Sequence, residues 1–187
     1  MQTDHHHHFR LDDNVRNTPL LCNLTGLTSL LSELPGLPGD QARLARYESN
    51  SGQPTPPSLL LLNNEELVVE STSLQLLEYF KGLQLRTART GSVALSLAAE
   101  CPPDLLLCDL ERPGETGIEF IKTFKAAHPE SLILVTSGHT HGELVASISA
   151  GATAAIQLPF HFAEFVQAVR LMLNMASFSK VNAANPP

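Results

Sequence analysis

The chain has 187 residues, of which 43% are hydrophobic and 17% are charged, as is typical of a soluble globular protein. Its 19 acidic and 12 basic residues give a formal net charge of −7, and because no basic cluster interrupts this balance, the sequence argues against a nucleic-acid-binding surface. Because no apolar run is long enough to cross a membrane, and because an odd number of cysteines suits a reducing compartment, we expect a cytoplasmic protein without membrane contact.

The first region, residues 1–57, is predicted to be an irregular or helical extension that ends in a linker rich in proline and serine. Its leucines follow a four-three spacing that predicts a short helix with one apolar stripe: Leu20, Leu24, Leu27, Leu31 and Leu34. A helix of this length is marginal alone in water, so the stripe is expected to dock on the same chain, on a second copy or on a partner. The four-His run His5–His8, whether natural or an engineered remnant, has no fixed geometry and is given no functional role.

Residues 58–174 alternate short apolar runs with helical stretches. Strands are predicted at Leu59–Leu62, Leu83–Thr87, Asp104–Cys108, Ser131–Val135 and Thr153–Gln157. Helices are predicted at Glu66–Lys81, Ser92–Glu100, Gly117–Ala127, Gly142–Ala150 and Phe160–Leu173. This alternation predicts an α/β fold with a doubly wound, five-stranded parallel sheet, in which sites form at the carboxyl ends of the strands. Residues 175–187 end in Asn-Pro-Pro and are predicted to be a flexible tail.

Several stretches at the predicted strand ends resemble a known family. Pro103–Asp109 resembles the phosphoacceptor strand of response-regulator receiver domains, the CheY-like superfamily. Leu132–Ser137 resembles their fourth strand, and Gly151-Ala152 followed by Leu158-Pro159-Phe160 stands where the family has Gly-Ala and Lys-Pro-Phe. The resemblance covers about residues 58–174 and implies the flavodoxin-like sheet of a receiver.

The resemblance also implies roles for individual residues. Asp109 would be the phosphoacceptor of two-component, or phosphorelay, signal transduction, and Thr136 would bind a phosphoryl oxygen. The Leu158–Pro159 peptide bond would be cis. The fourth helix, the fifth strand and the fifth helix of the receiver would form the face that meets a histidine kinase, another regulator or a second copy, in the last case as a homodimer.

One departure from the family concerns the metal site. The two acidic residues that hold Mg²⁺ in receivers are replaced by Asn63 and Asn64, or by Asn64 and Glu65 if the alignment shifts by one residue. Mg²⁺ prefers charged oxygen ligands, and phosphoryl transfer depends on the metal. We therefore expect either no cofactor or a degenerate site in which Asn63, Asn64 and Asp109 bind Mg²⁺ weakly.

Two further family positions are altered, since the family lysine is Leu158, which offers no donor, and the rotating aromatic is Ala155. We therefore expect a pseudo-receiver without an output domain, which works through protein contacts with weak or no phosphorylation at Asp109. The alternative is an enzyme or cofactor-binding protein on the same flavodoxin-like scaffold. Nucleotide binding would need a glycine-rich turn after the first strand, and because Asn63–Glu66 contains no glycine, we do not expect an enzyme.

Overall fold

The computed structural model describes residues 20–21, 56–110, 117–138 and 141–184. Its strands are β1 Leu20–Leu21, β2 Ser58–Leu62, β3 Gln84–Ala88, β4 Leu105–Asp109, β5 Leu132–Ser137 and β6 Ala154–Gln157. Its helices are α1 Glu66–Tyr79, α2 Gly91–Glu100, α3 Gly117–Ala127, α4 His141–Ser149 and α5 Phe162–Ala184. None of the helices in these ranges is both long enough and apolar enough to span a membrane.

The strands form one parallel sheet in the order β1-β6-β5-β4-β2-β3. The five predicted strands and their alternation with helices are confirmed. Every residue of β2 is buried, and so are the first four residues of β4, because the sheet is covered by helices on both faces. The central strands are therefore unbroken apolar runs, and the polar residues begin where these strands end.

The edge strand β1 corrects one prediction. Leu20 is predicted to begin the helical leucine stripe, but Leu20 and Leu21 pair in parallel with Ala154 and Ala155 of β6. The outer edge of β6 presents backbone N–H and C=O groups. A paired strand forms hydrogen bonds with these groups, whereas a helix at this place would leave them without partners. The other leucines of the stripe, the four-His run and the linker up to residue 55 lie outside the described residues.

Two apolar clusters cover the two faces of the sheet. One joins the sheet to α2, α3 and α4 and includes Phe124 and Leu144. The other joins the sheet to α1 and α5 and includes Leu76 and Val169. Because helices occupy both faces, a site on this domain forms at the carboxyl ends of the strands, where the loops leave room for it.

The last helix corrects a second prediction. Residues 175–184 are predicted to belong to a flexible tail, but they continue α5 to Ala184. Ala176 is buried, and Lys180 places its Nζ 2.6 Å from Asp104 Oδ1. The Asp104 carboxylate also accepts hydrogen bonds from the Ser58 backbone N–H and hydroxyl, at 2.9 and 3.0 Å. The helix is prolonged by these tertiary contacts, which the local sequence pattern does not reveal; residues 185–187 lie outside the described ranges.

Gly117, the first residue of α3, packs directly on Leu110, the residue that follows β4. A Cβ at this position would lie 2.8 Å from Leu110 Cδ2, 3.0 Å from its carbonyl oxygen and 3.1 Å from its Cα. Because backbone atoms cannot move aside cheaply, we expect Gly117→Ala to lower the free energy of unfolding by about 2 kcal/mol, although alanine favours helices. Urea unfolding measures this loss. Gly142→Ala, at an exposed position of α4, is the control and should be neutral or stabilising, and equal effects of the two substitutions would refute the clash.

Candidate functional site

Polar side chains end three neighbouring strands on one face of the sheet. The register pairs Asp109 with Thr136, and it pairs Leu62, which precedes Asn63, with Cys108, which precedes Asp109. Because side chains alternate between faces, Asn63, Asp109 and Thr136 lie on the face covered by α1 and α5. The structure therefore brings three of the predicted site residues together at the carboxyl edge of the sheet.

Both polar atoms of the Asn63 side-chain amide form hydrogen bonds. The side chain is buried, and its Nδ2 donates a hydrogen bond of 3.1 Å to Asp109 Oδ2. Its Oδ1 accepts a hydrogen bond of 2.8 Å from the backbone N–H of Glu65. Since a backbone N–H can only donate, it assigns the oxygen to the Glu65 side and the nitrogen to the Asp109 side. Asn63 thus presents a donor, not an oxygen ligand, to the Asp109 carboxylate.

This arrangement does not fit a bound Mg²⁺. Mg²⁺ is bound through oxygen atoms and favours carboxylates. To offer its oxygen, Asn63 would have to turn its amide over, and that rotation breaks the hydrogen bonds to both Asp109 and Glu65. In the part of the chain that the structure describes, no group of three or more His, Cys, Asp or Glu side chains is placed to hold a metal ion. The site therefore presents the Asp109 carboxylate with a hydrogen bond from the Asn63 side-chain N–H.

Thr136 and the segment after β6 complete this edge. Thr136 is half-buried, and its carbonyl accepts a hydrogen bond of 3.1 Å from the Leu110 N–H. The Leu158 N–H donates a hydrogen bond of 2.8 Å to the Ser137 carbonyl, and the Leu158–Pro159 peptide bond is cis, as the resemblance predicts. The Leu158 side chain is 38% exposed. An aliphatic side chain therefore stands where the family lysine is expected.

Ala155 lies apart from this cluster. It pairs with Val135, one residue before Thr136, so its side chain points to the opposite face of the sheet. There it is 1% exposed and belongs to the apolar cluster under α4. The structure therefore places Ala155 in the core rather than beside Asp109.

Arg89 is a residue of this region that the sequence analysis misses. From the loop after β3, its guanidinium donates to the Asn64 carbonyl at 3.1 Å and pairs with Glu66 Oε2 at 3.2 Å. Both charged side chains are largely exposed, so the pair contributes little stability, but it ties the start of α1 to the neighbouring strand end. Arg89 follows directly on a predicted strand, and the rule that sites form at strand carboxyl ends is the signal that points to it.

The sequence of the chain can be compared with known proteins. The response regulator receiver domain family matches residues 59–170. The transcriptional regulatory protein KdpE of Mycobacterium tuberculosis is 29% identical over 112 residues, which are 60% of this chain and 49% of KdpE. The transcriptional regulatory protein CpxR of Escherichia coli is 28% identical over 126 residues, which are 67% of this chain and 53% of CpxR. The chain spans about half the length of the curated relatives it matches.

Solved structures share the fold. A two-component response regulator of the LuxR family from Aurantimonas sp. superposes with a TM-score of 0.58 at 26% identity, over 63% of this chain and 84% of that protein. A CheY-like receiver domain protein from Methanospirillum hungatei superposes with a TM-score of 0.60 at 22% identity, over 66% of this chain and 98% of that protein. These likenesses confirm the doubly wound, five-stranded parallel sheet that the strand pattern predicts.

Proposed function

The chain belongs to the response-regulator receiver family, and we propose that it is a degenerate member, which acts in two-component signalling through protein contacts rather than through phosphorylation of Asp109. The family match includes the segment around Asp109, so the proposal concerns the chemistry of one site within a shared fold. One fold hosts many functions, so the residues of the site, rather than the fold, support this function.

The hydrogen bond from Asn63 Nδ2 to Asp109 Oδ2 carries the proposal. Transfer of a phosphoryl group depends on a metal ion that offsets the developing negative charge. Asn63 supplies no negative charge to attract that metal, and its amide oxygen is bonded to Glu65. Leu158 supplies no ammonium group that could offset the charge in place of a metal. Each change removes a favourable electrostatic contribution, so transfer to Asp109 is expected to be slow or absent.

In this proposal Asp109 keeps a structural role at the phosphoacceptor position. Its bond to Asn63 links the ends of the neighbouring strands β2 and β4. Thr136 lies on the same face of the sheet as Asp109, and its hydroxyl is the group that would bind a phosphoryl oxygen. Weak binding of Mg²⁺ by Asp109, Asn63 and Asn64 would require the Asn63 amide to turn over first, and the function proposed here needs no cofactor.

Exposed apolar side chains support a function that depends on protein contacts. Helix α1 exposes Leu67, Leu74 and Leu77 at 79%, 65% and 44%, and it buries Leu76. Large apolar side chains that are exposed to solvent on one helix are typical of protein interaction surfaces. We propose a histidine kinase, another regulator or a second copy as partner, with the face of α4, β6 and α5 as a further contact surface. The reducing cytoplasm, which suits the free thiol of Cys101, is the proposed location.

Acetyl phosphate, a small phosphodonor, tests the proposal. After incubation with acetyl phosphate and Mg²⁺, intact mass spectrometry of the full chain should show no phosphoryl adduct. A receiver that keeps both acidic residues and the lysine serves as the positive control for the donor. An adduct on most of the protein molecules that is absent in Asp109→Asn would contradict the proposal, because it would show a working phosphoacceptor.

A further inference from the structure

The strands β1 and β2 are consecutive in the chain and parallel, but they lie far apart in the sheet. Four steps separate them in the order β1-β6-β5-β4-β2-β3, which at about 4.8 Å for each step is about 19 Å. Residues 22–55, the β1–β2 connection, lead from the carboxyl end of β1 to the residues just before β2. The connection therefore has to cross the sheet and run back along its strands, and its 34 residues are long enough to do so over a layer of helices.

The handedness of parallel crossovers indicates on which face of the sheet this connection lies. The chain moves from β2 to β3 in the same direction across the sheet as from β1 to β2, and it carries α1 on the face that α5 shares. From β3 to β4, from β4 to β5 and from β5 to β6 it moves in the opposite direction, with α2, α3 and α4 on the other face. Because such crossovers are almost always right-handed, the β1–β2 connection is expected on the face of α1 and α5.

Helix α1 carries an exposed stripe that is both apolar and acidic. Leu67, Leu74 and Leu77 are exposed, and their spacing of seven and three residues places them on one side of the helix. Glu70 and Glu78 are exposed on the same side, because each is three or four residues from a leucine of the stripe. The helix contains no lysine or arginine. A segment that covers this stripe should therefore combine apolar side chains with positive charge.

One part of the β1–β2 connection has this composition. Arg43 and Arg46 are the only basic residues among residues 22–55, and Leu44 and Tyr47 stand beside them in the sequence. These four residues belong to the half of the connection that leads into β2, and β2 is one of the two strands on which α1 packs. Composition and position in the chain therefore favour the same segment as the occupant of the α1 stripe.

We propose that residues 43–47, the docking segment, bind the exposed stripe of α1 within the same chain. The apolar side chains of the docking segment pack on the leucines of the stripe, and its two arginines lie beside Glu70 and Glu78. Residues 48–55 tether the docking segment to β2, which raises its effective concentration at α1 so that a weak contact suffices. The inference does not rest on the proposed function, although a partner that binds α1 would have to compete with the docking segment.

Disulfide trapping in the full chain, with Cys22 and Cys101 replaced by serine, tests the proposal. Ala45→Cys is combined with Ser71→Cys, at an exposed position three residues before Leu74 on α1. The control combines Ala45→Cys with Ser92→Cys, the same chemical change at an exposed position of α2 on the opposite face. Under mild oxidation at low protein concentration, the disulfide to α1 should form within the chain about 10-fold faster than the disulfide to α2.

Charge reversal tests the same contact independently. Arg43→Glu with Arg46→Glu should slow trapping to α1 about 5-fold at low ionic strength, and adding Glu70→Arg with Glu78→Arg should restore it. Equal trapping rates to α1 and α2 would overturn the proposal, as would failure of the second pair of substitutions to restore the rate. A disulfide that forms between two molecules instead of within one would overturn it as well, because the occupant of α1 would then be a second copy. No phosphodonor is present, so this outcome is separate from that of the acetyl phosphate experiment.

Discussion

Asn63→Asp is expected to lower the free energy of unfolding by about 2 kcal/mol in the absence of Mg²⁺. The substitution removes the hydrogen bond from Nδ2 to the Asp109 carboxylate, and hydrogen bonds to charged groups contribute about 1.5–3 kcal/mol. It also places a second carboxylate beside Asp109, where like charges repel. The Glu65 N–H keeps an oxygen acceptor, so the turn that leads into α1 is preserved. The loss is therefore expected to come from the contact with Asp109.

The same substitution should make stability depend on Mg²⁺. It creates a pair of carboxylates of the kind that Mg²⁺ binds. A ligand that binds only the folded state, at about 100 times its dissociation constant, adds about 2.7 kcal/mol, which is enough to reverse the loss. Urea unfolding with and without Mg²⁺ measures both effects. Asn174→Asp makes the same chemical change at an exposed position of α5 and should show neither. If Asn63→Asp left stability without Mg²⁺ unchanged, the role assigned to the Asn63–Asp109 bond would be wrong.

The second large effect is expected at the opposite end of the sheet, where Asp104→Ala should lower the free energy of unfolding by about 3 kcal/mol. The buried Asp104 carboxylate accepts hydrogen bonds from the Ser58 backbone N–H and hydroxyl at 2.9 and 3.0 Å. Removing it leaves buried donors without an acceptor, which costs about 1–3 kcal/mol for each group. Urea unfolding measures the change.

Lys180→Ala is the matched comparison for Asp104→Ala. Lys180 lies 2.6 Å from Asp104 Oδ1, but its side chain is 54% exposed, so the ion pair is expected to contribute less than about 1 kcal/mol. The free energy of unfolding should therefore fall much less than in Asp104→Ala. If the two substitutions proved equally destabilising, the ion pair rather than the Ser58 contacts would be the source of the effect.

The central strands could be predicted because they are buried over most of their length. Unbroken apolar runs such as Leu59–Leu62 mark strands covered on both faces, and the structure places β2 over these same residues. The two errors in the fold both concern long-range contacts. β1 has two residues and depends on the edge of β6, while α5 continues past Leu173, where Ala176 is buried and Lys180 pairs with Asp104 just before β4. No local pattern carries such information.

The candidate site, like the fold, could be predicted only in part. Strand ends and alternation predict that Asp109 and Thr136 share an edge, and the register agrees. The orientation of the Asn63 amide could not be predicted, because it depends on where the Glu65 N–H points after the chain has turned into α1. Likewise, the position of Ala155 under α4 follows from the pairing of β6 with β5 and is not visible from its distance to Leu158 along the chain.

An NMR titration tests most directly the central claim that the Asp109 site has lost its metal and phosphoryl chemistry. Amide shifts of the full chain would be followed while Mg²⁺ and then beryllofluoride, an acyl-phosphate mimic, are added. We expect no localised, saturable shifts at Asn63, Asp109 and Thr136 up to millimolar Mg²⁺, and none on addition of beryllofluoride. Saturable shifts at these three residues would contradict the claim, because they would show that Asn63 gives up its bond to Asp109 and that the site still works as a phosphorylation switch.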